Sequence, residues 1–163
     1  MKLFIRRDIS SSDICFVIFD ELGKEKYSAM LKKSRHSVSK NSIKLDLIDE
    51  HKTVVARIRQ LPIVGVRSFS LKTDKSAATL VIMTALNSAQ CRFYGSNWHI
   101  VGNIAAKEFT IIDVDNAVIS AQHNHNSGYE LMIQDSVNEL IALLTALCIN
   151  MINTVDNRII QAV

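Results

Sequence analysis

The sequence predicts a mainly β fold: a meander of about a dozen antiparallel strands, able to close into a barrel, with a buried apolar helix at its C-terminal end. Three observations lead there. Short runs with period-two apolar alternation recur from the start of the chain to about residue 134. Polar turns of four or five residues separate them. After residue 136 the pattern changes to a ten-residue run, Leu140 to Ile149, in which only Thr145 is polar.

The alternation is clearest in three places. In 42–48, Ile43, Leu45 and Leu47 share one face while Lys44 and Asp46 take the other. In 53–60, Val54, Ala56 and Ile58 oppose Val55, Arg57 and Arg59. In 128–134, Tyr129, Leu131 and Ile133 oppose Glu130, Met132 and Gln134. A period of two sends alternate side chains to opposite faces of a sheet, so these are half-buried strands. The run 14–19 is apolar throughout, as for a strand covered on both faces. Less regular strands fall at 3–8, 25–31, 67–71, 77–83, 90–94, 98–102, 107–112 and 118–122. The turns 20–24, 49–52, 72–75 and 113–116 have the length that joins antiparallel neighbours. Closing such a meander removes its exposed edges.

The end of the chain reads differently. Ser136-Val137-Asn138-Glu139 has the form of a capping box, with Ser136 capping a helix and Glu139 reaching back. The helix that follows is apolar all round and must be buried. A bilayer span needs about 20 apolar residues, so a run of this length belongs in a protein core. Asn150 and Asn153 interrupt it, and Asp156 and Arg158 end it. A barrel lumen could enclose such a helix.

Composition narrows the function classes. The 163 residues fit one domain, and 48% of them are hydrophobic, enough for a core without disulfide or metal staples. Nineteen basic against 16 acidic residues give a net charge of +3, too balanced to predict a nucleic-acid partner. Cys15, Cys91 and Cys148 are odd in number and widely spaced, which indicates neither a disulfide framework nor a zinc site. The apolar stretch at the N-terminus is three residues long and basic residues follow it, unlike a secretory signal. The expected compartment is the cytoplasm, and no cofactor is expected.

Several segments resemble a known family. Phe16-Val17-Ile18-Phe19-Asp20-Glu21-Leu22-Gly23 followed by Tyr27 is similar to the "F-x-I-x-D-E-x-G … Y" opening of the LURP-one-related proteins, a branch of the tubby-like, phospholipid-scramblase-like group. Leu45-Asp46-Leu47-Ile48-Asp49 with Val55-Ala56-Arg57-Ile58 resembles the next hairpin, and Trp98-His99-Ile100-Val101-Gly102 the family's "w-x-v-x-G" strand. The order of strands and a final Leu/Ala/Ile-rich helix match as well. The resemblance implies one tubby-like domain over 1–163: a closed barrel of about twelve strands across about 3–134, around a central helix at about 136–155. Tubby proteins bind phosphoinositide headgroups through basic residues on the barrel, and scramblase relatives work at membranes. The tubby phosphoinositide residues have no one-to-one match here, so none is carried over.

The candidate site is a basic surface. Between residues 24 and 44 the chain places Lys24, Lys26, Lys32, Lys33, Arg35, Lys40 and Lys44 against the single acid Glu25. If the strands at 25–31, 42–48 and 53–60 are neighbours, Lys26, Lys44, Arg57 and Arg59 point outward on one wall. With Lys32, Lys33 and Arg35 from the adjoining loop, they form the expected anion-binding set, suited to phospholipid headgroups or other phosphates. The plainer account is a solvated face beside a basic loop. The expected function is a non-enzymatic binding or scaffold module, cytoplasmic and peripheral to the membrane. The alternative is a protein-interaction domain.

Other clusters have plainer readings. His123-Asn124-His125-Asn126 offers two histidines but no third metal ligand, and reads as a polar loop. Asp113 and Asp115 lack the ligand series of a calcium loop and read as a turn. Cys91 and His99 fall on neighbouring strands, without an orienting acid or an oxyanion donor. Trp98 and Phe109 read as core.

Overall fold

The computed structural model describes residues 1–11, 13–32, 42–63, 65–85 and 88–161, without the side chains of 14, 85, 88 and 153–161. The first six strands are β1 (Lys2–Arg7), β2 (Ile14–Phe19), β3 (Glu25–Leu31), β4 (Lys44–Asp49), β5 (Val54–Leu61) and β6 (Arg67–Thr73). The next six are β7 (Ala77–Ala85), β8 (Ser88–Tyr94), β9 (His99–Asn103), β10 (Glu108–Ile112), β11 (Val118–His125) and β12 (Gly128–Ile133). Each pairs antiparallel with its chain neighbours, and β1 closes the ring on β12 with Leu3 opposite Leu131. This is the closed twelve-stranded barrel that the alternation and the family resemblance both lead to expect.

Period-two patterning decides which side chains fill the barrel. Leu45, Leu47, Ile58 and Leu71 are wholly buried inside it, while Arg57 and Lys72 stand exposed outside. In β2, Phe16 and Ile18 are buried, but Val17 and Phe19 are only half-buried, so its outer face is not fully covered. Phe19 instead lies under the Arg6 guanidinium, 5.4 Å from the ring centroid. The alternation breaks in β5. Leu47 pairs with Ala56 but Ile48 with Val54, which leaves Val55 as the extra residue of a bulge. The bulge leaves Val54 36% exposed and packs Val55 against the core, the reverse of the expected assignment.

Three hairpin turns share one construction. The carboxylates of Asp20, Asp49 and Asp113 each accept from the backbone N–H groups two and four residues on, at 2.9 Å. The residue three places on then takes a positive φ: Gly23 at 77°, Lys52 at 63° and Asn116 at 62°. Glycine makes that conformation cheap, and the aspartate bonds support it where a side chain is present. Asp113 is thereby occupied in holding a turn.

The C-terminal helix, α1 (Glu139–Gln161), runs past the expected end near residue 155. Its start also differs from expectation. Asp135, not Ser136, is the cap: its carboxylate accepts from Val137 N–H at 3.0 Å and opens a 3-10 turn, Ser136–Asn138, ahead of the helix. Glu139 does not reach back. It accepts from the Tyr27 hydroxyl at 3.0 Å and pairs with Lys26.

Every residue from Ile141 to Ile152 is buried. At about 1.5 Å per residue, that stretch spans about 18 Å of the lumen. Its polar groups are all bonded. The Thr145 hydroxyl donates to Ile141 O, and the Asn150 and Gln122 amides exchange two hydrogen bonds at 2.9 and 3.1 Å. Two barrel cations reach in to helix carbonyls, Lys107 to Ile149 O and Arg67 to Ile152 O. A buried amide or ammonium with such partners avoids the desolvation cost it would otherwise bear. Among the described residues no helix is long and apolar enough to cross a membrane.

Candidate anion-binding wall

The outward faces of β4, β5 and β6 carry the site. Strand register sets Lys44 directly opposite Arg59, and Arg57 directly opposite Lys72. Arg57 and Arg59 are two residues apart on one face, so the two pairs lie about 7 Å from each other along the strand. Lys32, just beyond β3, joins them through its backbone N–H, which donates to Lys44 O at 2.8 Å. Ser70 and Thr79 continue the row beyond Arg59.

One carboxylate sits among these cations. Asp46 projects outward from β4, yet only 6% of its side chain is exposed because the basic groups cover it. Its Oδ1 accepts from both terminal nitrogens of Arg59, at 3.1 and 3.2 Å. Arg57 Nε lies 3.6 Å away, and Lys32 Nζ lies 3.9 Å from the other oxygen. Arg59 also donates to Ile58 O and Leu45 O, so its guanidinium is spent inside the protein. Lys44 and Lys72 have no acidic partner among the described residues. Five cations around one carboxylate leave most of the positive charge uncompensated, and the groups that carry it are the exposed Arg57, Lys32 and Lys72 and the half-buried Lys44.

The expected residues divide accordingly. Lys32, Lys44, Arg57 and Arg59 come together. Lys26 does not. It is the second residue of β3, six residues before Lys32 and about 20 Å away by strand rise, and its ammonium pairs with Glu139 at the mouth where the helix begins. There, burial raises the Tyr27 hydroxyl above the usual phenol range, and the neighbouring Glu139 adds to the rise. Lys33 and Arg35 lie outside the described residues. Sequence reasoning missed Lys72, which it assigned to a turn. Its signal was the spacing Ser68, Ser70, Lys72, which alternates with the inward Phe69 and Leu71.

The other clusters resolve plainly. His123 and His125 belong to β11 rather than to a loop, and His125 tilts against the Phe4 ring with 5.2 Å between centroids. Cys91 and His99 do not face each other. Cys91 points into the barrel, where burial pushes its thiol up to about 12, while His99 is exposed outside opposite Arg92. Phe109 is core, and Trp98 packs against the core edge-on to Phe93 at 5.9 Å.

Comparison with known proteins adds a family and nothing finer. No curated protein and no solved structure matches the chain. The model of one family, described as LURP-one-related, matches residues 1–151, which takes in all twelve strands and most of the buried helix. The barrel, its enclosed helix and this match agree, and the chain belongs to the LURP-one-related family.

Proposed function

We propose that the protein is a non-catalytic binding module that takes the phosphate-bearing headgroup of an acidic phospholipid on the wall formed by β4, β5 and β6. In this reading it works at the cytoplasmic face of a membrane, bound peripherally. The observation that carries the proposal is the pair of like-charge neighbours, Lys44 with Arg59 and Arg57 with Lys72. Like charges directly opposite on a sheet destabilise it. Asp46 relieves one side of that repulsion and leaves Lys72 and Lys44 for an outside anion. Each basic residue near an acidic membrane contributes about 1 kcal/mol, and the attraction is screened within a Debye length.

Vesicle sedimentation tests this. The protein is expected to pellet with vesicles containing phosphatidylserine, to stay in solution with phosphatidylcholine alone, and to be released by salt. Removing Lys44, Arg57 and Lys72 together should weaken binding by about 3 kcal/mol, roughly a hundredfold. Equal binding to neutral and acidic vesicles would overturn the proposal.

A further inference from the structure

The barrel has one weak seam. Among the described residues β8 and β9 share a single pair, Arg92 with His99, whereas every other neighbouring pair of strands shares four or more. Beyond that pair, 88–91 of β8 continues on β7, with Cys91 opposite Ile82, and 100–103 of β9 continues on β10, with Gly102 opposite Phe109. Alternate N–H and C=O groups of an antiparallel strand point to each side. The two strands therefore turn open rows of backbone donors and acceptors toward each other, across a crevice of about 810 Å³.

The inner side of that crevice is apolar, and its side chains thin out away from the hairpin. The inward positions are Ala89 and Cys91 on β8 and Ile100 and Gly102 on β9, with Ile100 packed against the core. Gly102 has no substitute: its φ is +122°, and a Cβ there would lie 2.6 Å from the Glu108 carbonyl oxygen. That close approach holds β9 on β10 and leaves a hollow toward β8. The outer rim is different. Gln90, Arg92, His99 and Val101 are exposed, and Arg92 has no acidic partner among the described residues.

We propose that the β8–β9 seam takes a short extended segment of another polypeptide by strand addition, with apolar side chains at alternate positions facing the barrel and acidic ones facing Arg92 and His99. Main-chain groups supply the affinity in this mode, and pockets for alternate side chains supply the choice of partner. An open stretch of four residues on each strand matches a partner segment of about 13 Å. The apolar inward residues ask for apolar partners, and the unpaired Arg92 asks for acids. The seam is two strands removed from β6 and is independent of the anion-binding wall.

The test uses the whole protein and a capped hexapeptide of alternating valine and glutamate, read by amide NMR shifts and hydrogen exchange. Amides in 88–92 and 99–103 should shift and exchange more slowly, and methylating alternate peptide nitrogens should abolish the effect. The same peptide with lysine for glutamate should bind about tenfold more weakly, and Arg92→Glu should reverse that order. Three results would overturn the proposal: no shift at millimolar peptide, equal binding of the N-methylated peptide, or shifts confined to other strands.

Discussion

Replacing Asp46 with asparagine should lower stability and raise lipid affinity at the same time. The carboxylate is 4% exposed by residue and holds both terminal nitrogens of Arg59, at 3.1 and 3.2 Å. Asparagine keeps the shape and one acceptor oxygen but loses the charge. Arg57 and Lys32 are more than half exposed and add little through solvent, so Arg59 dominates the loss. Hydrogen bonds to charged groups contribute about 1.5–3 kcal/mol, which sets the expected destabilisation near 2 kcal/mol. On the membrane side the substitution removes one negative charge from the wall, equivalent to one added cation. Affinity for phosphatidylserine vesicles should then rise by about 1 kcal/mol, roughly fivefold. Urea denaturation reads the first effect and vesicle sedimentation the second. A solvated wall without a ligand gives the loss of stability alone. Unchanged lipid affinity would therefore refute the functional reasoning, and unchanged stability the structural reasoning.

Three further outcomes are expected. Asn150→Ala strips the buried Gln122 amide of two hydrogen bonds and should cost about 2 kcal/mol, read by urea denaturation, with much of the loss recovered when both positions become leucine. Burial raises the Cys91 thiol from 9.0 to about 12 and also raises Cys148. The unfolded chain then loses these protons first, so stability is full below about pH 9 and falls as pH climbs toward 12, by up to about 1.4 kcal/mol per pH unit from Cys91, with Cys148 acting in the same direction. Denaturation between pH 9 and 10.5 should show that slope, and Cys91→Ala should reduce it. Gly128→Ala would place a Cβ 2.3 Å from the Ile5 carbonyl oxygen, at the join between β1 and β12, and should cost about 2 kcal/mol. Gly65→Ala, with φ +87° and nothing within 4 Å, should cost only about 1 kcal/mol. Equal denaturation midpoints for the two variants would contradict the closure described at that join.

Much of this fold was legible because a period of two survives in nearly every wall strand. Leu45, Leu47 and Ile58 announce the inner face without knowledge of their partners. Register is what alternation leaves out. Lys26 and Lys44 share the outer face, but only pairing shows that they sit at opposite ends of the wall. Val54 looked inward because an alternating pattern carries no mark of a one-residue bulge. Ser136 satisfied the capping pattern, but Asp135 is an equally good capping residue one position earlier, and three-dimensional packing decided between them. Lys72 was hidden because Thr73 and Asp74 gave the segment a turn composition, although β6 runs through Thr73. Asp46 could be placed outside from sequence, but the convergence of Arg57, Arg59 and Lys32 on it depends on three separate segments. The seam was not legible either, since the pattern of β9 reports a strand and says nothing about how far it pairs.

The most direct measurement is hydrogen exchange on the intact protein with and without phosphatidylserine vesicles. The account predicts slower exchange on the outer wall at Lys44, Arg57 and Lys72, while amides from Ile141 to Ile152 stay as protected as in free protein. Vesicles that leave the wall unchanged, or that release protection along the helix, would contradict it.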